Sequence, residues 1–117
     1  MNRIYISGPI TSNPEGSKDE FKRMVLKIYD MGIGIPVSPR RHRIPPWFEL
    51  PRDKDAVWRY MMREAVKDLM DCDSMVLLDG WENSLGCTEE VKLCKLLHIP
   101  VFDEHLNVIY SPGGEDA

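Results

Sequence analysis

The sequence predicts an α/β fold of three layers, a parallel sheet of four or five strands with helices on both faces. Three observations predict it. Short β-rich runs alternate with longer stretches of helical periodicity in the order β-α-β-α-β-α-β. The run Ser74–Leu78 (SMVLL) is apolar without a break, as expected of a strand covered on both faces. Pro36 interrupts another run; lacking an N–H for the ladder, it suits an edge strand.

The elements follow in order. Arg3–Ser7 (RIYIS) reads as the first strand, closed by the turn signal Gly8-Pro9. Ser17-Lys18-Asp19-Glu20 has the form of a capping box, so a helix is expected to start there. Phe21, Met24, Val25, Ile28 and Tyr29 recur at helical spacing until Met31-Gly32 ends it. Ile33–Ser38 is the second strand. Residues 39 to 53 form a long loop carrying Arg40, Arg41, His42 and Arg43 ahead of Pro45-Pro46-Trp47; loops of this length are often lids or binding loops.

A second helix is expected from about Lys54 to Asp71, with a buried stripe of Trp58, Met61, Met62, Ala65, Val66, Leu69 and Met70. After Ser74–Leu78, Asp79-Gly80-Trp81 opens a turn. A third helix runs from about Gly86 or Cys87 to Leu97, followed by strands at Ile99–Phe102 and Val108–Tyr110. The Met-rich second helix is most simply core packing.

Such a pattern suits a Rossmann/flavodoxin-like strand order, 2-1-3-4, in which ligands bind beyond the carboxyl ends of the strands near the order switch. That rule selects Ser7-Gly8-Pro9-Ile10-Thr11 and the stretch from Asp79 to Glu90. No repeat or linker divides the chain, so one domain over residues 1–110 is expected, with 111–117 as a flexible tail.

Bulk properties narrow the classes. The 117 residues are 43% hydrophobic and 29% charged, ordinary for a globular protein. A net charge of −4 gives no support to a general nucleic-acid binder. No apolar run approaches the roughly 20 residues of a membrane span. The first residues show no secretory pattern, and Cys72, Cys87 and Cys94 form neither a CxxC motif nor a Cys/His set. A cytoplasmic protein with reduced thiols and no metal is therefore expected.

The chemistry concentrates in Gly80-Trp81-Glu82-Asn83-Ser84-Leu85-Gly86-Cys87-Thr88-Glu89-Glu90. Ser84 can cap the third helix, and Gly86 allows a ligand close to the backbone. Glu90 then falls in about the first helical turn, where the helix dipole favours a carboxylate. At the mouth of a crevice such a group is a reasonable nucleophile for an acetal-like carbon such as a sugar C1′. Taken alone, Glu89 and Glu90 also suit a plain acidic helix start.

IYISGPIT at the start, CDSMVLLDGWENSLG in the middle and Gly86-x-x-x-Glu90 at the end resemble the nucleoside 2-deoxyribosyltransferase-like superfamily, more narrowly its short, phage-associated members of the DUF4406 type. The likeness runs in order from Ile4 to about Val101. It implies that Glu90 attacks C1′ and releases the base, forming a glycosyl-enzyme that a second base or water then resolves, without a cofactor. It also implies that Tyr5 orients the nucleophile. Ser84 matches a position where members acting on 5′-monophosphates often carry serine, whereas Pro9 and Thr11 replace residues that add phosphate contacts. An acidic residue of the second helix aligns at about Ala65; Glu64 or Asp68 substitutes for it, or both are solvated surface. Homo-oligomers that complete one another's sites are common in the superfamily.

Substrate contacts are thus expected from Gly8, Pro9, Asp79, Trp81, Ser84 and Gly86, with Glu90 and Tyr5 catalytic and no metal. Asp79 equally suits a turn, and Trp81 and Trp47 equally suit covers for the core edge. Arg40, Arg41 and Arg43 close over a phosphate, contact nucleic acid or are solvated. The expected partner is a small nucleoside or nucleotide. The rival readings are a nucleotide-binding module without turnover and, further off, a nucleic-acid-binding accessory protein.

Overall fold

Alternation along β1 (Arg3–Ser7) sorts the core into two halves. The structure, a computed structural model, describes residues 2–9, 14–39 and 54–113. After β1 come α1 (Pro14–Met31), β2 (Ile35–Val37), α2 (Lys54–Met70), β3 (Ser74–Leu77), a 3-10 turn (Trp81–Asn83), α3 (Leu85–Leu97), β4 (Val101–Asp103) and β5 (Val108–Tyr110). Ile4 and Ile6 point to one face and meet Phe21, Met24 and Ile28 of α1. Tyr5 points to the other, where Met75, Leu77 and Val101 of the sheet meet Ala65 and Leu69 of α2 and Cys87, Val91 and Cys94 of α3. Burying each large apolar side chain stabilises the fold by about 1.5–3 kcal/mol, so these two layers account for the sandwich.

The sheet order is β2-β1-β3-β4-β5. β1 pairs in parallel with β2 and β3, and β3 with β4. The expected 2-1-3-4 order and the edge position of the Pro36 strand are both present. The fifth strand departs from the expected parallel sheet: β5 runs antiparallel to β4. Only residues 104–107 connect the two, whereas a parallel return needs about a dozen residues or more. Asp103 fastens this tight turn, its Oδ1 accepting from the N–H groups of His105 and Asn107 at 2.9 Å each.

Several boundaries differ from the sequence reading. α1 begins at Pro14, so Ser17 is inside the helix rather than its cap; a proline, with φ already fixed and no N–H to satisfy, suits a first turn. α3 begins at Leu85, and β4 is shifted towards Asp103. Tyr29 is exposed, as are Trp58 and Met70 at opposite ends of α2. The apolar stripe of α2 is therefore only partly spent on the core. Thr11, the Arg40–Arg43 cluster and Trp47 lie outside the described residues. Among the described residues no helix is long and apolar enough to cross a membrane.

Candidate active site

β1 and α3 meet at one polar point. The pleat that sends Tyr5 towards α3 sends Ser7, two residues on, the same way. On α3 the inward residues are Cys87, Glu90, Val91 and Cys94, spaced i, i+3, i+4 and i+7. Three of these are apolar or thiol, and the fourth is a carboxylate that is only 5% exposed. Ser7 Oγ donates a 2.8 Å hydrogen bond to Glu90 Oε1. The other oxygen, Oε2, is buried without a hydrogen-bond partner, and so is the Tyr5 hydroxyl beside it. The two groups couple electrostatically without closing a hydrogen bond by geometry.

Burial pushes the Glu90 carboxyl above the usual range, against the lowering influence of the neighbouring Tyr5 and Ser7 hydroxyls. This corrects the expectation that a helix dipole governs its charge. Because α3 starts at Leu85, Glu90 stands in its second turn, and the dipole fades beyond the first. Burial, then the Glu90 charge, also raises the Tyr5 phenol far above its ordinary value, so it keeps its proton at any physiological pH.

The start of α3 is built as its sequence suggests. Gly80, at φ 88°, turns the chain out of β3 in a left-handed conformation that favours glycine. Ser84 caps the helix, its Oγ accepting from the Cys87 N–H at 3.3 Å. Gly8 faces a different demand: a Cβ there would lie 2.7 Å from Leu78 Cδ1. Gly86 is not required by packing, since its Cβ would meet only Met62 Sδ at 3.6 Å and Ser84 Oγ at 3.9 Å.

These residues border a cavity of about 740 Å3. Tyr5, Ser7, Gly8 and Glu90 line its sheet end, and Ser84, Gly86 and Cys87 line it from α3. Across from them stands an α2 wall of Val57, Trp58, Met61, Met62 and Ala65, with Asp55 also on the lining. The volume is within the roughly 300–1,000 Å3 typical of small-molecule sites, and the mixture of an apolar wall with a few converging polar groups is their usual composition. Asp55 and Glu90 are the charged groups among the described lining residues.

Five expected site residues therefore share one cavity: Tyr5, Gly8, Ser84, Gly86 and Glu90. Three do not line it. Pro9 packs its Cγ 3.6 Å from where a Gly80 Cβ would be, and Trp81 lies half-buried against the α2/α3 side of the core. Asp79 is exposed; its N–H donates to Glu104 Oε2 at 3.2 Å. Asp79, Glu104 and His105 together offer three ligand atoms within 4.8 Å of one another. The Glu104 carboxylate is already engaged by Arg23 Nη2 at 3.1 Å, which ties α1 to the β4–β5 turn.

Two features escaped the sequence reading. Ser7 falls in the segment that the order-switch rule selects but has no role there, because a strand-terminal serine is unremarkable until the pleat shows that it shares a face with Tyr5. Met61 and Met62 read as packing, yet they face the cavity; the signal was a stripe on α2 wider than one core contact needs. Asp68, weighed as solvated surface, is 6% exposed and close enough to raise the Tyr5 phenol further. Glu64 pairs instead with Lys67 at 3.1 Å.

Comparison with known proteins places this geometry in context. The family described as domain of unknown function DUF4406 matches residues 2–103. Among solved structures, the fold is similar to the 2-deoxyribosyltransferase of the psychrotolerant bacterium Bacillus psychrosaccharolyticus. The TM-score is 0.64 at 17% identity, over 86% of this chain and 70% of that one. No curated protein matches the chain in sequence.

Proposed function

The chain belongs to the DUF4406 family, and from that premise we propose that it is an enzyme acting on the N-glycosidic bond of a (deoxy)nucleoside or its 5′-monophosphate, with Glu90 as the nucleophile. One observation carries the reading: a glutamate buried to 5% exposure borders the cavity with one oxygen uncommitted. A carboxylate is costly to bury, and a fold that keeps one at the edge of a ligand cavity keeps it for chemistry more readily than for packing. The similarity of the fold to a 2-deoxyribosyltransferase supports the same class of reaction.

In this mechanism an oxygen of ionised Glu90 bonds to C1′ as the C1′–N bond breaks. The bonding pair leaves with the base, which takes up a proton. The transition state resembles an oxocarbenium ion, and the product is a glycosyl ester of Glu90. Water or a second nucleobase then attacks C1′ and gives up a proton, the C1′–O bond to Glu90 breaks, and the carboxylate is released, so the proton taken up by the leaving base is returned. Tyr5, always protonated, acts as a polar neighbour of the nucleophile and not as a base. The sugar lies between Gly8 and the Ser84–Gly86 turn, and the base lies against Trp58, Met61 and Met62. Pro9, Asp79 and Trp81 shape the strand ends behind this site.

A panel of nucleosides and 5′-monophosphates, followed by chromatography for free base, tests the proposal. Base release that Glu90→Gln abolishes is the expected result. Ligand binding with no base release from any member of the panel would overturn the catalytic reading and leave a binding module. Titration calorimetry of matched nucleoside and monophosphate pairs tests the Ser84 end. Tighter binding of the monophosphate, with the gap narrowed in Ser84→Ala, is expected; equal binding would identify a free-nucleoside site.

A further inference from the structure

We propose that Ser7 is a positioning residue that makes the two oxygens of Glu90 unequal, holding Oε1 so that Oε2 is the atom presented to the substrate; this rests on the nucleophile reading of Glu90. A free glutamate side chain offers two equivalent oxygens and rotates between them. Here the 2.8 Å bond from Ser7 Oγ engages one of them and anchors that oxygen at the end of β1. The second oxygen has no hydrogen-bond partner although it is buried. An unpaired charged oxygen is expensive inside a protein, and the cost is met when a reacting carbon arrives.

The fold makes Ser7 suited to this task. It ends β1, its backbone O accepts from the Leu78 N–H at 2.8 Å, and its Cα is in register with Leu77 of β3. The residue is 1% exposed, so its hydroxyl is shielded from competing water. At the next residue, Gly8, a Cβ would lie 2.7 Å from Leu78 Cδ1, on the α1 side of the sheet opposite to Ser7. Ser7 thus ties Glu90 of α3 to the carboxyl end of β1, where β1 is paired with β3. A hydroxyl that donates to a carboxylate also favours its ionised form, opposing the effect of burial.

The test has a readout that needs no activity. Carbon-13 NMR of glutamate carboxyls in the ligand-free chain, assigned with Glu90→Gln, follows the Glu90 titration directly. Ser7→Ala should raise its midpoint, and Ser7→Thr, which restores a hydroxyl, should return it towards the parent. A Ser7→Ala midpoint equal to the parent's overturns the proposal. On a substrate found by the panel above, Ser7→Ala should lose roughly 10- to 100-fold in kcat, the loss expected for a hydrogen bond to a charged group. KM should stay within about twofold, because the lost contact is not to substrate. The deficit should persist above the shifted midpoint, where Glu90 is ionised in both proteins; full recovery there overturns the positioning role. If the parent itself releases no base, the glycosidic reading fails, and the titration still decides whether Ser7 governs Glu90.

Discussion

At the scale of the residue, α3 carries two adjacent glutamates with opposite fates. Glu89 is exposed and pairs with Lys92 at 3.2 Å, whereas Glu90, about 100° further round the helix, is buried against Ser7. Their amide variants therefore form a controlled pair. Glu90→Gln keeps shape but removes the charge of the proposed nucleophile, and it should cost at least about 4 kcal/mol of barrier, on the order of a thousandfold or more in base release. Glu89→Gln gives up only an exposed ion pair and should stay within about twofold, since such pairs are worth at most about 1 kcal/mol. Loss of activity in Glu89→Gln with retention in Glu90→Gln would move the nucleophile by one residue. The pH profile belongs to the same atom. As the proposed nucleophile Glu90 must be ionised to attack, and burial raises its pKa, so kcat/KM should fall with acid along a limb lying above the ordinary glutamate value of 4.5. A limb at or below that value would show that the titrating group is a solvated carboxylate.

The elements show why some of this was legible and some was not. Gly8 and Gly86 look alike in sequence, yet one answers to packing and the other to the cavity. Gly8→Ala forces a Cβ against Leu78 and should destabilise the fold by about 1–3 kcal/mol, read by thermal denaturation. Gly86→Ala has room and adds a helix-favouring residue, so stability should hold or rise by up to about 1 kcal/mol. Because the added methyl intrudes on the cavity lining, ligand binding should weaken all the same; unchanged affinity would remove Gly86 from the site. The strand order, the edge strand with Pro36 and the cap at Ser84 were readable because period, proline chemistry and capping are local rules. The burial of Glu90 follows from its place in the stripe of Cys87, Val91 and Cys94, but a helix start read one or two residues late made it look like a helix-start charge. The Ser7 bond spans 83 residues and the reversal of β5 depends on a four-residue connection, so both required the fold. Met61 and Met62 could not be assigned from periodicity, because a wall facing ligand and a wall facing core share one pattern.

For the whole molecule, the proposed role of Glu90 sets the charge that chemistry needs against stability. The folded chain holds the Glu90 proton more tightly than the unfolded chain, whose carboxyl titrates near 4.5. Between those two pKa values the native state binds more protons, so stability falls as pH rises through the interval. The contribution is fully present below the unfolded pKa and is lost above the folded one, where ionised Glu90 burdens the core. Glu90→Gln has no proton to lose. Its melting temperature should match the parent's in acid, exceed it progressively as pH rises through the folded pKa of Glu90, and keep a constant lead above that. Asp103 acts in the opposite sense: hydrogen bonds led by the Asn107 N–H lower its pKa, and its contribution disappears as pH falls. Both proteins retain Asp103, so its effect cancels in the difference, which isolates Glu90 from the remaining carboxylates. Paired thermal melts across the acid-to-neutral range provide the measurement. A lead for Glu90→Gln that is flat with pH would mean that the glutamate is destabilising through shape and not through charge. A lead that grows towards acid would reverse the sign of the shift and place Glu90 among carboxylates that the fold stabilises, which is incompatible with a nucleophile left partly unpaired for its substrate.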